Sequence, residues 1–183
     1  MYYRGSQFFI RPYVLEDADA LSDLMVRNRE LFDPFTPTRN ESYYTAAEQR
    51  KNIELWTQAR EADERYSFGI FAAATDQLIG DISLFEVARG PLQKCMLGYC
   101  LDMLHNGKGI VSEAVRVIVD FAFEEAGFHR IEAGVQPRNR GSIRVLEKAG
   151  FQREGLARKN VKIHGEWQDH YIYAILEEDI RRD

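Results

Sequence analysis

The residues with the clearest chemical potential form a glycine-rich turn, His105-Asn106-Gly107-Lys108-Gly109, between an apolar strand and a helix with an apolar face. Two glycines separated by one residue permit backbone dihedrals that a Cβ would forbid, and they let the main chain come close to a ligand. The predicted helix, over 110–126, directs its unpaired N–H groups and positive dipole end at the space above the turn. The pattern predicts an anion site, with diphosphate as the expected ligand.

Two better-known phosphate motifs do not fit this turn. It is not a Walker loop, because no glycine stands five residues before Gly107 and no serine or threonine follows Lys108. It is not a dinucleotide fingerprint either, because Ser112 stands where the third glycine belongs. An ordinary strand-to-helix turn that binds nothing remains the alternative interpretation of the two glycines.

The elements on either side of the turn must position it. After the helix, Gly127 is a suitable C′ residue, and 130–136 alternates apolar side chains in the manner of a strand. Asn139 then begins a second helix that ends at Ala149-Gly150. Before the turn, strands are predicted over 66–74, 78–87 and 93–101, and their short connections indicate an antiparallel meander.

The remaining predicted elements flank this centre. They are a strand over 6–13, a helix over 16–29, a loop over 31–42 with two prolines, a helix over 45–64, and a closing strand pair over 151–163 and 166–176. Thr45 and Glu48 have the spacing of a capping box at the start of the helix over 45–64. The sum is a mixed α/β sheet with an antiparallel front half, in a single domain over 1–183.

The composition is that of a folded globular domain. The chain has 183 residues, of which 45% are hydrophobic and 29% are charged. A net charge of −5 argues against a general nucleic-acid binder. The apolar runs are too short to span a membrane, and the first residues lack the apolar segment of a signal peptide, so we expect a cytoplasmic protein without a membrane partner.

Charge is unevenly distributed along the chain. Acidic residues predominate over 15–41, and basic residues predominate over 138–162. The two stretches can be solvated faces. They can also act in binding, the basic half by neutralising the phosphates of a cofactor and the acidic half by attracting a cationic acceptor such as a protonated amine. The two interpretations are compatible.

The cysteines and histidines indicate neither a disulfide nor a metal. Cys95 and Cys100 fall on one predicted strand, where their spacing sends them to opposite faces and too far apart to be bridged. We interpret them as buried small hydrophobes, with a catalytic thiol as the lesser alternative. The four histidines include no i, i+4 pair and no accompanying cysteine, so we predict no metal.

A set of motifs in the second half of the chain points to a known family. They are Gly107-Lys108-Gly109, Arg130-Ile131-Glu132-Ala133, Asn139, Ser142 and Leu146-Glu147-Lys148-Ala149-Gly150-Phe151. Together they resemble the acetyl-CoA-binding core of the GNAT N-acetyltransferases. The flanks look like the ribosomal-protein-alanine N-acetyltransferases, the RimJ and RimL group, at Asn28-Arg29-Glu30, Pro34-Phe35, Gly98-Tyr99, Arg153-Glu154-Gly155 and Gly165-Glu166-Trp167-Gln168-Asp169-His170. The likeness covers nearly the whole chain, with a core over about 8–176.

This resemblance implies a fold and a co-substrate. The expected fold is a GNAT-like mixed, mostly antiparallel central sheet of about seven strands with about four helices. In that family the strand before the glycine turn and the strand after its helix run parallel and splay apart, which makes a V-shaped slot for the pantetheine arm of acetyl-CoA. The resemblance thus assigns acetyl-CoA to two groups of main-chain atoms: Asn106, Gly107, Lys108, Gly109, Ile110 and Val111 for the diphosphate, and Tyr99, Cys100 and Leu101 for the pantetheine and the oxyanion.

This chain departs from the family's loose turn pattern at two positions. The family favours Gln or Arg where Asn106 stands, and Gly or Ala where Val111 stands. Because the expected contact is largely main-chain, these departures should weaken the cofactor site rather than abolish it.

Two polar residues of the second helix are candidates for the remaining chemistry. Asn139 is expected by resemblance to contact the pantetheine, although Asn is also a preferred N-cap. Ser142 matches the family position near the sulfur, where a hydroxyl could protonate the departing thiolate; a solvated or self-capping serine is the alternative. Many family members use a tyrosine as the proton donor, and Leu146 stands at that position here.

Two carboxylates are candidates for the base that takes a proton from the amine. Glu86, near the end of its strand, is the first candidate, and Glu132 is the second. Either can instead be a cross-strand ion-pair partner, and water relays could replace both. A carboxylate that acts as a base should be partly desolvated, with a raised pKa.

The leading hypothesis for function is transfer of acetyl from acetyl-CoA to an α-amino group, such as the N-terminal alanine of a ribosomal protein, by direct attack in a ternary complex. One alternative is acetylation of a small amine, such as a polyamine, an amino sugar or an amino-acid-like toxin. Another is a mainly non-catalytic CoA-binding factor on the ribosome. A peptide needs an open groove and a small amine needs a closed acidic pocket, so the loop over 31–42 should decide between them. The sequence leaves open whether the protein forms a homodimer.

Overall fold

The computed structural model describes residues 2–180 and contains one mixed sheet of eight strands. The strands are β1 (Tyr3–Arg4), β2 (Phe8–Pro12), β3 (Tyr66–Ala72), β4 (Leu78–Ala88), β5 (Lys94–Leu101), β6 (Arg130–Val135), β7 (Gln152–Ile163) and β8 (Glu166–Leu176). The helices are α1 (Ala18–Arg27), α2 (Arg29–Phe32), α3 (Ala46–Glu61), α4 (Ile110–Glu124), α5 (Arg140–Lys148) and α6 (Glu177–Ile180). No helix within these residues is long and apolar enough to span a membrane.

The order of the strands creates an opening in the middle of the sheet. The order is β1-β2-β3-β4-β5-β6-β8-β7, and within residues 2–180 only β5 and β6 are parallel neighbours. These two strands pair from Lys94 to Met96 and from Arg130 to Glu132, and they part beyond those residues. Because each keeps an antiparallel partner on its other side, the remaining lengths of β5 and β6 border a gap. This is the splayed central pair that the resemblance implies.

Two helical layers cover the two faces of the sheet. On one face, α4 buries apolar residues at helical spacing, including Ile110, Ala114, Ile118 and Ala122, against the strands. On the other face, α1 and α3 enclose a second core around Leu21, Leu24 and Ile53. Burying one such aliphatic side chain stabilises the fold by about 1.5 to 3 kcal/mol, so the two cores hold both layers against the sheet.

Side chains along β5 alternate between the two faces, as the pleat requires. Cys95, Leu97 and Leu101 join the core under α4, and Cys100 packs against the core under α1 and α3. Both cysteines are free thiols on opposite faces, as predicted.

The predicted elements are confirmed within a few residues at their ends. The predicted N-caps are present, since Thr45 accepts from the Glu48 amide at 3.3 Å and Asn139 accepts from the Ser142 amide at 3.1 Å. The sheet has eight strands rather than seven, because β1 is too short for alternation to reveal it. Residues 2–180 contain six α-helices rather than about four, because α2 and α6 are single turns of four residues. Part of the predicted 31–42 loop is helical, and Pro34 lies in the first turn of a 3₁₀ helix, where a missing N–H costs little.

Candidate functional site

The glycine turn opens onto free space at the N-terminus of α4. Gly107 and Gly109 have φ values of +78° and +80°, and a Cβ built on either would meet no atom within 4 Å. Gly109 is the N-cap of α4, so no side chain can cap the helix from this position. Within residues 2–180, the amides of Ile110, Val111 and Ser112 have no acceptor. An uncapped helix start beside open space fits an anion.

The approach to this turn is fixed by α1. Asp102, which directly follows β5, is 1% exposed and accepts from Arg27 Nε at 2.5 Å and from the Leu104 amide at 3.0 Å. Asn28 Oδ1 accepts from the Met103 amide at 2.9 Å. Burial opposes ionisation of Asp102, but the hydrogen bonds from Arg27 and the Leu104 amide outweigh it and lower the pKa of the carboxyl. The turn is therefore anchored at its start by a charged hydrogen bond.

Changing Asp102 to asparagine should lower the free energy of unfolding by about 2 kcal/mol at neutral pH, since a hydrogen bond to a charged partner is lost. Because folding lowers the pKa of Asp102, its contribution is complete above the ordinary value near 3.9. The contribution disappears as the pH falls through the lower value of the folded state. Urea unfolding of both proteins at neutral and acidic pH measures this. An equal difference at both pH values would contradict it.

Two hydroxyls, one on β5 and one on α5, meet beside the gap. The Tyr99 hydroxyl lies 2.8 Å from Ser142 Oγ and also donates to the Ser142 carbonyl at 3.2 Å. Burial raises the pKa of the Tyr99 phenol far above its ordinary value, and the hydrogen bond with Ser142 lowers it by less. The tyrosine is therefore a neutral donor at physiological pH. The sequence analysis assigned only the main chain of Tyr99 to the site. The contact between its hydroxyl and Ser142 was not predicted.

Asn139 caps a helix, whereas the polar side chains of the glycine turn are exposed. The Asn139 side chain caps α5 through its Oδ1, so the interpretation as an N-cap is confirmed. Its contact with pantetheine stays a prediction. Asn106 and Lys108 are exposed at the turn. The cationic side chain of Lys108 therefore adds positive charge near the start of α4, where the dipole already favours an anion.

The two carboxylates predicted as the base lie in different environments. Glu86 is exposed at a bulge of β4, where its φ is +50°, and within residues 2–180 it forms no ion pair. Glu132 pairs with Lys94 at 3.1 Å and with Arg130 at 2.7 Å. Burial opposes ionisation of Glu132, but these partners outweigh it and lower its pKa. Glu132 therefore lacks the raised pKa expected of a base, and Glu86 lacks the expected desolvation.

A third carboxylate, Asp81, was missed. It lies on β4 opposite Cys100 of β5 and accepts from the Tyr13 hydroxyl at 3.0 Å. Burial raises its pKa, and the opposing effects of Arg65 and of the Tyr13 hydrogen bond are smaller. One signal could have found it, because Asp81 is an acidic residue inside a strand whose neighbours, Ile79 and Ile82, are apolar. Within residues 2–180, no three His, Cys, Asp or Glu side chains are arranged to hold a metal ion.

The loop over 31–42 is docked onto the far half of the sheet. The Pro34 carbonyl accepts from Arg138 Nη2 at 2.9 Å and from Gln136 Nε2 at 3.3 Å. The His164 ring contacts the Asp33 carbonyl at 2.7 Å. Gln136 directly follows β6, so the loop contacts the chain at the end where β5 and β6 are apart. The loop therefore borders the open end of the gap.

A parallel strand pair that parts beside an open helix N-terminus is the architecture that the resemblance implies. Residues 7–152 match the family model described as an acetyltransferase (GNAT) domain, and the chain belongs to the GNAT family of N-acetyltransferases. The predicted fold class is confirmed.

The relatives narrow the likeness within this family. "Probable N-acetyltransferase YjcK" of Bacillus subtilis (strain 168) is 53% identical over 176 residues, which cover 96% of this chain and 97% of that protein. The structure of ribosomal-protein-S5-alanine acetyltransferase from Vibrio fischeri superposes with a TM-score of 0.93 at 28% identity and covers 98% of both chains. RimJ of Mycobacterium smegmatis, in complex with CoA-disulfide, has a TM-score of 0.91 at 25% identity, with 96% of this chain and 85% of that chain covered. The predicted resemblance to the RimJ and RimL group is confirmed.

Proposed function

We propose that the protein transfers acetyl from acetyl-CoA to an α-amino group in the cytoplasm, with the N-terminal alanine of a ribosomal protein as the acceptor. The observation that carries this proposal is the gap between β5 and β6, with the open glycine turn at one end and the Tyr99 and Ser142 hydroxyls beside it. Two similar solved proteins support it, since one is named an S5-alanine acetyltransferase and the other is bound to a CoA-disulfide.

The glycine turn and the gap have the donors that acetyl-CoA requires. The amides of Ile110 and Val111 have no partner within the described residues and would donate to the diphosphate. Beyond Met96, the main chain of β5 that faces the gap has no partner on β6, so Tyr99, Cys100 and Leu101 can offer main-chain groups to the pantetheine and the oxyanion. Asn106, Gly107, Lys108, Gly109 and Asn139 complete the proposed cofactor site.

Ser142 and Tyr99 would supply the proton that the departing sulfur needs. The amine nitrogen forms a bond to the thioester carbon as the C–S bond breaks, and the thiolate takes a proton from Ser142 Oγ. Tyr99, kept neutral by burial, can donate a hydrogen bond to the same oxygen. The nitrogen sheds one proton on becoming an amide, and that proton returns through solvent to Ser142 Oγ, which has given its own proton to the sulfur, so the transfer is balanced.

Release of CoA in the presence of defined acceptors tests the proposal. We expect the purified protein to release CoA from acetyl-CoA with a peptide that begins with alanine. The same peptide with a blocked N-terminus should give no release above the acceptor-free rate. A thiol reagent measures the released CoA, and the mass of the peptide reports the added acetyl group. Binding of acetyl-CoA without transfer to any acceptor would instead support a CoA-binding factor.

One observation favours a small amine as the acceptor. The 31–42 loop is held to the end of β6 by Gln136 and Arg138 through the Pro34 carbonyl, which narrows the route that an extended peptide would take. A narrow route suits a small amine better than an extended peptide. A panel of small amines in the same CoA-release assay discriminates between the two acceptor classes by the ratio of their kcat/KM values.

A further inference from the structure

Asp81 lies near two tyrosines, Tyr13 and Tyr43, and carries no ion pair within residues 2–180. None of the ion pairs within residues 2–180 includes it, although partly buried carboxylates are usually paired. The titratable and charged groups that face it from the surrounding elements are Tyr13, Arg39, Tyr43, Arg65 and Cys100. An unpaired negative charge in such a place costs stability unless a cation binds there.

The two arginines near Asp81 are held by other groups. Arg39 stacks on the Tyr43 ring at 3.9 Å and donates to Met25 Sδ at 3.7 Å. Arg65 donates to Ser67 Oγ at 2.7 Å. Their charges lower the pKa of Asp81 by less than burial raises it. The carboxylate is therefore available to another cation.

The surroundings of Asp81 match one kind of cation. Asp81 is half-buried. Its neighbours desolvate part of the residue, and solvent reaches the remainder. The aromatic groups of Tyr13 and Tyr43 stand close to the carboxylate. A partly desolvated carboxylate that has no ion-pair partner attracts a cation such as an alkylammonium group.

Asp81 lies on the face of the sheet opposite to the Tyr99 and Ser142 hydroxyls. It is paired with Cys100, whose side chain lies against the core under α1 and α3. Tyr99, the next residue on β5 toward its start, points to the opposite face, where it meets Ser142. The gap between β5 and β6 joins the two faces. An amine can thus approach a thioester in the gap from one face, while the sulfur is protonated from the other.

We propose that Asp81 receives the acceptor amine, with its carboxylate binding the ammonium group and taking one proton from it. This inference rests on the proposed acetyl transfer. The proton passes from nitrogen to a carboxylate oxygen, and the freed lone pair forms the bond to the thioester carbon. Asp81 later returns the proton to solvent, so no other reactant is needed. The raised pKa narrows the difference between carboxylate and amine that this proton transfer must overcome.

Replacement of Asp81 by asparagine tests the role, since the amide keeps an oxygen for the Tyr13 hydroxyl. We expect kcat/KM for the acceptor to fall by about 10²-fold or more and the Kd for acetyl-CoA to stay unchanged. Without ligands, the Asp81→Asn protein should have a higher Tm than the wild type at neutral pH, because an unpaired carboxylate is removed. Since folding raises the pKa of Asp81, this gain should vanish below the ordinary pKa of the carboxyl. The matched control is Asp23→Asn, at an exposed position on α1.

Tyr13→Phe provides a second, independent measurement. The Tyr13 hydroxyl stabilises the carboxylate form of Asp81, so its removal should raise the pKa of Asp81. The acid limb of the kcat/KM profile for the acceptor should therefore move to higher pH. A role of Asp81 in packing alone predicts no such movement.

The outcomes separate this inference from the proposed function. If the wild type acetylates an amine and Asp81→Asn does so equally well, the inference is overturned and the proposed function stands. A lower Tm or weaker acetyl-CoA binding in Asp81→Asn would assign the residue a structural role and overturn the inference. A larger loss of kcat in Glu86→Gln than in Asp81→Asn would return the role to Glu86. A wild type that binds acetyl-CoA but acetylates nothing overturns both proposals.

Discussion

Replacing Gly109 by valine is expected to weaken acetyl-CoA binding by about 100-fold, which corresponds to about 2.7 kcal/mol. Gly109 has a φ of +80°, where a β-branched residue is strained by about 1 to 3 kcal/mol. The added side chain would also project into the open space in which the diphosphate is proposed to bind. Relaxation of the strain would redirect the amides at the start of α4. Calorimetric titration of the purified variant with acetyl-CoA measures the loss.

The chain offers a matched control for Gly109→Val at the other end of the same helix. Gly127 has a φ of +68°, and a Cβ there would also meet no atom within 4 Å. Gly127→Val should therefore lose a similar amount of stability and keep its affinity for acetyl-CoA. Equal affinity of the Gly109→Val protein and the wild type would remove the turn from the cofactor site. Equal losses of affinity in the two variants would attribute the effect to the fold.

Replacing Ser142 by alanine is expected to lower kcat by about 10²-fold or more and to leave the Kd for acetyl-CoA unchanged. The Ser142 amide still donates to Asn139, so the start of α5 is preserved. The lost hydroxyl acts only when the sulfur departs, and an interaction made only in the transition state affects kcat. Steady-state kinetics with a saturating acceptor, together with the titration, measures the two quantities.

Tyr99 provides a second test of the same proton path. Because its hydroxyl lies 2.8 Å from Ser142 Oγ, Tyr99→Phe should also lower kcat. The double variant should lose little more than Ser142→Ala alone, since the two groups act as a unit. Thr57→Val is the matched control, because the Thr57 hydroxyl donates to the Ile53 carbonyl at 2.9 Å within α3, a helix that supplies no residue to the proposed cofactor site. A wild-type kcat in Ser142→Ala would exclude the serine from the mechanism.

Local patterns in the sequence were sufficient to predict the main elements. The turn at Gly107 and Gly109, the caps at Thr45 and Asn139, and the three-strand meander all depend on residues that are neighbours in the chain. Capping, strand alternation and positive φ are short-range effects, so they can be read from a short stretch of sequence. Elements of two to four residues, such as β1 and α2, are too short for such patterns.

The partners of the polar side chains could not be predicted in this way. Glu132 and Asp81 are both strand carboxylates; Arg130, one partner of Glu132, is local, but Lys94 lies on another strand, and Asp81 has no ion-pair partner within residues 2–180. Their ionisation depends on residues brought together from several strands and loops. The same holds for the side chain of Tyr99, whose partner lies 43 positions away.

The sequence by itself determined the family, the fold class and the glycine turn, because these depend on motifs and on short-range conformational preferences. Only the tertiary structure decided that β5 and β6 part after three paired residues, that Tyr99 meets Ser142, and that the 31–42 loop docks at the end of β6. Those features arise from packing between segments far apart in the chain. Local preferences place no constraint on such contacts, because their free energy is gained only when the whole sheet and both helical layers have formed.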